Sequence, residues 1–178
     1  EQEVNDLVTE NINLAKEDFD SFENSWDFTT HPFIKYKTST GKLLDAYLQW
    51  EKVANSRFNK VKENEEKLNE IFLDIYNVKD GFKSEVEEKD VTIYKAEKVR
   101  DVKSFLSYVV GCILGRYNLD DLGSVYTGEV WDIDKYKTFT PVTDNCVVIT
   151  DNEDYDEDIV YYLKKFLVTV FGENYLEE

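Results

Sequence analysis

The stretch SFLSYVVGCILGRYNLDD, Ser104 to Asp121, is the most apolar passage of an otherwise strongly acidic chain. Its uncharged part, Ser104 to Gly115, is about a dozen residues, or roughly 18 Å of helix. A bilayer core of about 30 Å needs about 20 such residues, so this run is too short to span one. Leu106, Val109, Val110, Ile113 and Leu114 recur at helical spacing, which predicts the central helix of a water-soluble core. Gly111 and Gly115 share a face beside Cys112, and that small-residue face predicts close approach by another helix or strand.

Around this passage the composition is that of a packed domain. The 178 residues include 11 Phe, 12 Tyr and 3 Trp, enough large apolar surface for one compact core. Cys112 and Cys146 both sit in apolar sequence, which predicts free core thiols in a reducing cytoplasm rather than a disulfide framework. The formal charge of −17 opposes docking on phosphate backbones and on anionic membranes. It favours solubility or a basic partner. Residues 1–16 are charged and amphipathic, unlike a signal peptide. The chain starts at Glu1 rather than Met and stops mid-pattern at NYLEE, so a piece of a longer protein is expected.

The apolar spacing predicts a mainly α (α+β) fold over 1–178: packed helices, one of them long, with a small antiparallel β element. An N-terminal helix over 3–16 leads into an aromatic-rich loop, completing a region 1–40. There Phe19, Phe22, Trp26, Phe28 and Phe33 are spaced irregularly, and Pro32 forbids a continuing helix. The main helical core, 41–178, opens with a helix of about 41–77, capped by Ser39 or Thr40. Its charged middle, NKVKENEEK, predicts solvent or a polar neighbour there. VTIYK (91–95) and CVVIT (146–150) read as strands, and turn residues between β-rich pieces over 119–142 predict a small antiparallel insertion. The central helix is expected over 96–117 and a last helix over 156–171, stopped by Gly172.

Chemistry is sparse. His31 is the sole histidine and neither cysteine has a near partner, so neither a structural zinc site nor a His-based triad is credible. DNEDYDED (151–158) lacks the glycine and spacing of a calcium loop; its acids suit the start of the following helix. No two glycines form G-x-G, and STGK (39–42) lacks the upstream glycine of a phosphate loop. From Phe28 to Leu44 there is no acidic residue, while Lys35, Lys37 and Lys42 are present. These lysines read either as phosphate contacts or as a solvated loop balanced by acids elsewhere. Arg116 reads either as a contact to a phosphate or partner carboxylate, or as closing its helix against carbonyls, Asp120 or Asp121.

Several passages in order resemble one family. DFDSFENSWDFTTHPFI is similar to the aromatic segment that follows the catalytic domain in large DNA methyltransferases of restriction and phage-exclusion systems. KLNEIFLDIYNVKDGF, DVKSFLSYVVGCILGRYNLDDLGSVYTG and EDIVYYLKKFLVTVFGENYLEE resemble passages of the PglX family, the adenine-specific methyltransferases of BREX systems. The resemblance implies a parent protein that moves a methyl group from S-adenosylmethionine to N6 of an adenine lifted out of double-stranded DNA. It also implies a cytoplasmic setting, no membrane, and as partners the rest of the methyltransferase chain and other phage-defence proteins. The family's catalytic N-P-P-Y needs adjacent prolines, and only Pro32 and Pro141 occur here. The resemblance therefore implies a region C-terminal to the catalytic domain, with no catalytic, cofactor-binding or metal residue of its own, acting as a helical strut. An acidic protein-binding module or DNA mimic is the alternative, disfavoured by the many core-like aromatics.

Overall fold

The computed structural model describes residues 1–78, 80–128, 130–149 and 157–175. Five α-helices follow in chain order: α1 Gln2–Phe19, α2 Pro32–Lys35, α3 Leu43–Tyr76, α4 Lys98–Ile113 and α5 Ile159–Phe171. Short 3₁₀ turns lie at Glu88–Asp90 and Ile133–Lys135. The mainly α expectation agrees with this; the β element does not, because no residue among those described is in a strand.

α3 carries the architecture. Ala46, Tyr47, Trp50, Ala54, Arg57, Phe58, Val61 and Asn64 are buried, a stripe at three- and four-residue spacing. The stripe continues to Asn64, and the reason lies on α1. Asn64 is buried and donates to Glu10 Oε2 at 2.8 Å and Asn11 Oδ1 at 2.9 Å. Asp18 meets Arg57 at 3.5 Å, so the two helices run antiparallel, and the polar neighbour expected for the charged middle of α3 is α1. Neither Ser39 nor Thr40 caps α3: Lys42 holds that position, and the Thr40 hydroxyl donates to Asp45. Asn77, at φ 54°, ends the helix in the left-handed conformation.

The central helix is real but shorter than expected. It stops at Ile113 because Gly115 turns left-handed at φ 77° and the amides of Arg116 and Tyr117 return to the Gly111 carbonyl. Phe105, Tyr108, Val109, Cys112 and Ile113 are buried, while Leu106 and Val110 face outward. The main core joins them to Phe33, Trp50, Phe139 and Phe166. What approaches the glycine face is neither helix nor strand. A methyl group on Gly111 would lie 2.6 Å from the Tyr117 ring, and one on Gly115 2.4 Å from the Trp131 ring. The small residues make room for aromatic rings of the segment that folds back over the helix end.

That segment also explains the missing sheet. Val91 and Ile93 are buried beside Phe58 and Val61, so the alternation in VTIYK is genuine. Its backbone, however, meets side chains: Thr92 N–H donates to Glu65 on α3. Over 119–142 the Asp120 carboxylate accepts from the amides of Lys137 and Thr138 at 2.9 and 3.0 Å, and Asn118 donates to the Lys135 carbonyl at 2.7 Å. The Val142 amide goes to the Ile113 carbonyl at 2.9 Å, and the Val148 carbonyl accepts from Ile159 at 2.9 Å. These backbone groups are satisfied by caps and carboxylates, leaving no row of groups for a strand partner. Cys146 is exposed rather than core, and Cys112 is buried; both are free. The acidic run 151–156 lies outside the described residues, but Asp158 caps α5 by accepting from the Tyr161 amide at 2.8 Å.

Candidate nucleic-acid interface

The three lysines singled out by sequence have three different fates. Lys35 ends α2, is exposed, and lies 5.6 Å from the Tyr36 ring centroid. Lys37 is committed to the fold: its ammonium donates to the Val170 carbonyl at 2.7 Å, at the C-terminal end of α5, where a positive charge is favourable. Lys42 is half-buried as the N-cap position of α3. Arg116 is exposed, its guanidinium 5.3 Å from the Tyr117 ring centroid. Asp121 receives the Asn118 amide at 3.3 Å, and Asp120 is occupied by Lys137 and Thr138. Hydrogen bonds to Thr138 and to the Lys137 amide hold the Asp120 carboxyl below the usual carboxylate range, against the opposing effect of burial.

Lys35 opens onto a groove of about 820 Å³ between the turn 20–30, α2 and the first half of α3. Gln49, Lys52, Ser56 and Lys60 form its α3 wall. These positions follow one helix face next to the buried stripe, and Lys52 joins Lys35 only because α2 and the turn pack against that face. Its carboxylates are engaged. Lys16 pairs with both Asp20 and Asp27, and the Lys16 hydrogen bond holds the Asp20 carboxyl below the ordinary range. Arg57 pairs with Glu17 at 3.5 Å. Lys35 and Lys52 have no carboxylate partner among the described residues.

Trp26 crowns the turn that forms the far wall, and it is 103% exposed. The turn is fixed by its own hydrogen bonds: Asp27 N–H to Ser25 Oγ at 3.0 Å and Ser25 N–H to the Phe22 carbonyl at 3.0 Å. Trp26 itself lines a second cleft, of about 800 Å³, with Arg116, Tyr117 and Thr127. Asp27 and Thr29 line both clefts, so the turn that carries Trp26 is the ridge between them.

The one histidine and one of the two cysteines are packed away. His31 is buried; its Nδ1 accepts from the Phe33 amide at 3.2 Å, and burial drives its pKa down to about 3. Burial pushes the Cys112 thiol up to about 12. Among the described residues no three His, Cys, Asp or Glu side chains gather as a metal site, and no helix is long and apolar enough to cross a membrane.

Nearly the whole chain, 99%, aligns at 41% identity with part of the adenine-specific methyltransferase PglX of Lacticaseibacillus casei (strain Zhang). Over nearly its whole length the chain is thus similar to one segment of PglX. A second relative, the adenine-specific methyltransferase BrxX of Escherichia coli O9:H4 (strain HS), is 28% identical over 98% of the chain. The chain spans 15% of the length of the PglX relative and 16% of the BrxX relative. No protein-family model matches it. Similarity to PglX thus runs through the aromatic turn, the long helix and the central helix alike.

Proposed function

We propose that this chain is a non-catalytic helical strut of an S-adenosylmethionine-dependent adenine-N6 DNA methyltransferase of a BREX phage-defence system, working in the cytoplasm. The alignment of nearly the entire chain with a small fraction of PglX carries this reading. An enzyme that extrudes a base must hold its catalytic and target-reading parts at a fixed separation across the duplex. α3, at 34 residues, is about 51 Å long. It is stiffened in its middle by α1, from Arg57 to Asn64, and the main core anchors its N-terminal part. Its far end leaves Ile75 and Tyr76 exposed, surface suited to docking against the rest of the polypeptide. The buried His31 and Cys112 support a mechanical rather than chemical role. Contact with DNA falls to the basic groups, Lys35, Lys42 and Arg116 among them, in a chain whose remaining charge repels phosphate.

The test is methyl transfer measured with labelled S-adenosylmethionine and duplex DNA. The 178-residue chain alone is expected to bind no methyl donor and to label no adenine. The full-length polypeptide carrying it is expected to label N6, and to lose that activity when this region is deleted. Donor binding by the isolated chain, or full activity without it, would overturn the proposal.

A further inference from the structure

The aromatic turn and the groove beside it have a use that the strut alone does not require. A fully exposed tryptophan on a turn whose backbone is fixed by hydrogen bonds is a contact whose backbone ordering is already met before it is covered. In the groove that adjoins its turn, in a chain of charge −17, lie two lysines without carboxylate partners among the described residues, while the acids of that groove are held by Lys16 and Arg57. Hydroxyl and amide groups of Thr29, Ser56 and Gln49 line the same space. Ammonium groups with neutral donors between them are the usual equipment for phosphate oxygens. An exposed aromatic ring alongside is what minor-groove proteins press against sugars or between base steps.

We propose that this groove is a phosphodiester-backbone contact for duplex DNA, with Lys35 and Lys52 on the phosphates and Trp26 as an apolar wedge beside them. The inference rests on the DNA methyltransferase reading and sharpens it. It moves the contact from the loop 28–44 to a groove whose second cation comes from α3, and it releases Lys37, which is bonded to Val170.

The experiment measures duplex affinity against salt concentration in the full-length polypeptide. K35E/K52E is expected to weaken binding and to lower the slope of log K against log salt by about 2 in magnitude. Trp26→Ala is expected to weaken binding roughly tenfold with the slope unchanged. Lys37→Glu should lower the melting temperature and leave the slope alone. Unchanged affinity and slope in K35E/K52E, or a slope loss in Lys37→Glu as large as in the double variant, would overturn the groove while leaving the strut reading intact. A wild-type polypeptide that binds no duplex DNA would instead sink the reading on which the groove rests.

Discussion

Asp101→Ala is expected to remove about 2–4 kcal/mol of folding stability, the cost of leaving a buried indole N–H and a backbone amide without their acceptor. Asp101 is 1% exposed, and three donors converge on its carboxylate. Trp50 Nε1 from α3 lies at 2.9 Å, the Glu97 amide at 3.1 Å, and Arg100 Nε at 2.8 Å. The alanine variant strands a buried indole N–H and removes the counter-charge of Arg100. That guanidinium also lies 5.4 Å from the Phe22 ring centroid, and Phe22 in turn meets Trp50 edge-on at 6.2 Å. One carboxylate thus ties the start of α4, the N-terminal part of α3 and the aromatic turn together. In a domain whose net stability is about 5–15 kcal/mol, the loss takes a large share. It corresponds to a melting temperature lower by about 10 °C. Trp50→Phe removes the donor along with part of the buried ring, and because both changes break the same hydrogen bond the double variant should be less unstable than the two single losses summed. Chemical denaturation of the four proteins measures this, and a loss below about 1 kcal/mol in Asp101→Ala would refute the network's importance.

Asp101 also shows how far the sequence could be read. Helices were legible because their evidence is local: apolar residues at three and four steps mark α1, α3, α4 and α5 within a few residues of their ends. The strands were not, because alternation reports burial on one side and says nothing of what the backbone pairs with. Val91 and Ile93 alternate and are buried, yet α3 side chains take the place of a neighbouring strand. The glycines of α4 told of close approach without telling that the approaching groups were rings from the same chain, since Tyr117 and Trp131 reach them only after the fold-back. At the candidate interface, the absence of acids over 28–44 located Lys35 but could not separate it from Lys37. That distinction is a tertiary fact, fixed by the Val170 carbonyl. Lys52 was hidden because its own sequence neighbourhood is ordinary; only the packing of α2 and the turn against α3 gives it company.

Below neutral pH the chain is expected to lose stability well before its carboxylates titrate, and His31 is the cause. Its folded pKa of about 3 lies far below the value near 6.5 of an unfolded chain. Above pH 6.5 the imidazole is neutral in both states and its contribution is fully present. As pH falls, the unfolded state takes up a proton that the folded state refuses, so unfolding is favoured by about 1.4 kcal/mol for each further pH unit. At pH 5 the loss reaches about 2 kcal/mol. The groups facing the ring explain the refusal. Phe33, Phe105 and Tyr108 surround it with centroids at 4.8, 5.2 and 6.0 Å, and Nε2 has no hydrogen-bond partner among the described residues. Asp20, Glu88 and Glu97, held low by their hydrogen bonds, act in the same direction but only nearer their own range. Asp18, raised by burial, acts against them. Because His31 is the only histidine, the window from pH 5 to 6.5 belongs to it among the side chains with shifted values. Urea melts across that window should slope steeply in the wild type and flatten in His31→Asn, whose amide oxygen can still cap α2. A wild-type stability that stays level from pH 7 to 5 would mean that the imidazole reaches water, and that the aromatic core around it is looser than its packing distances indicate.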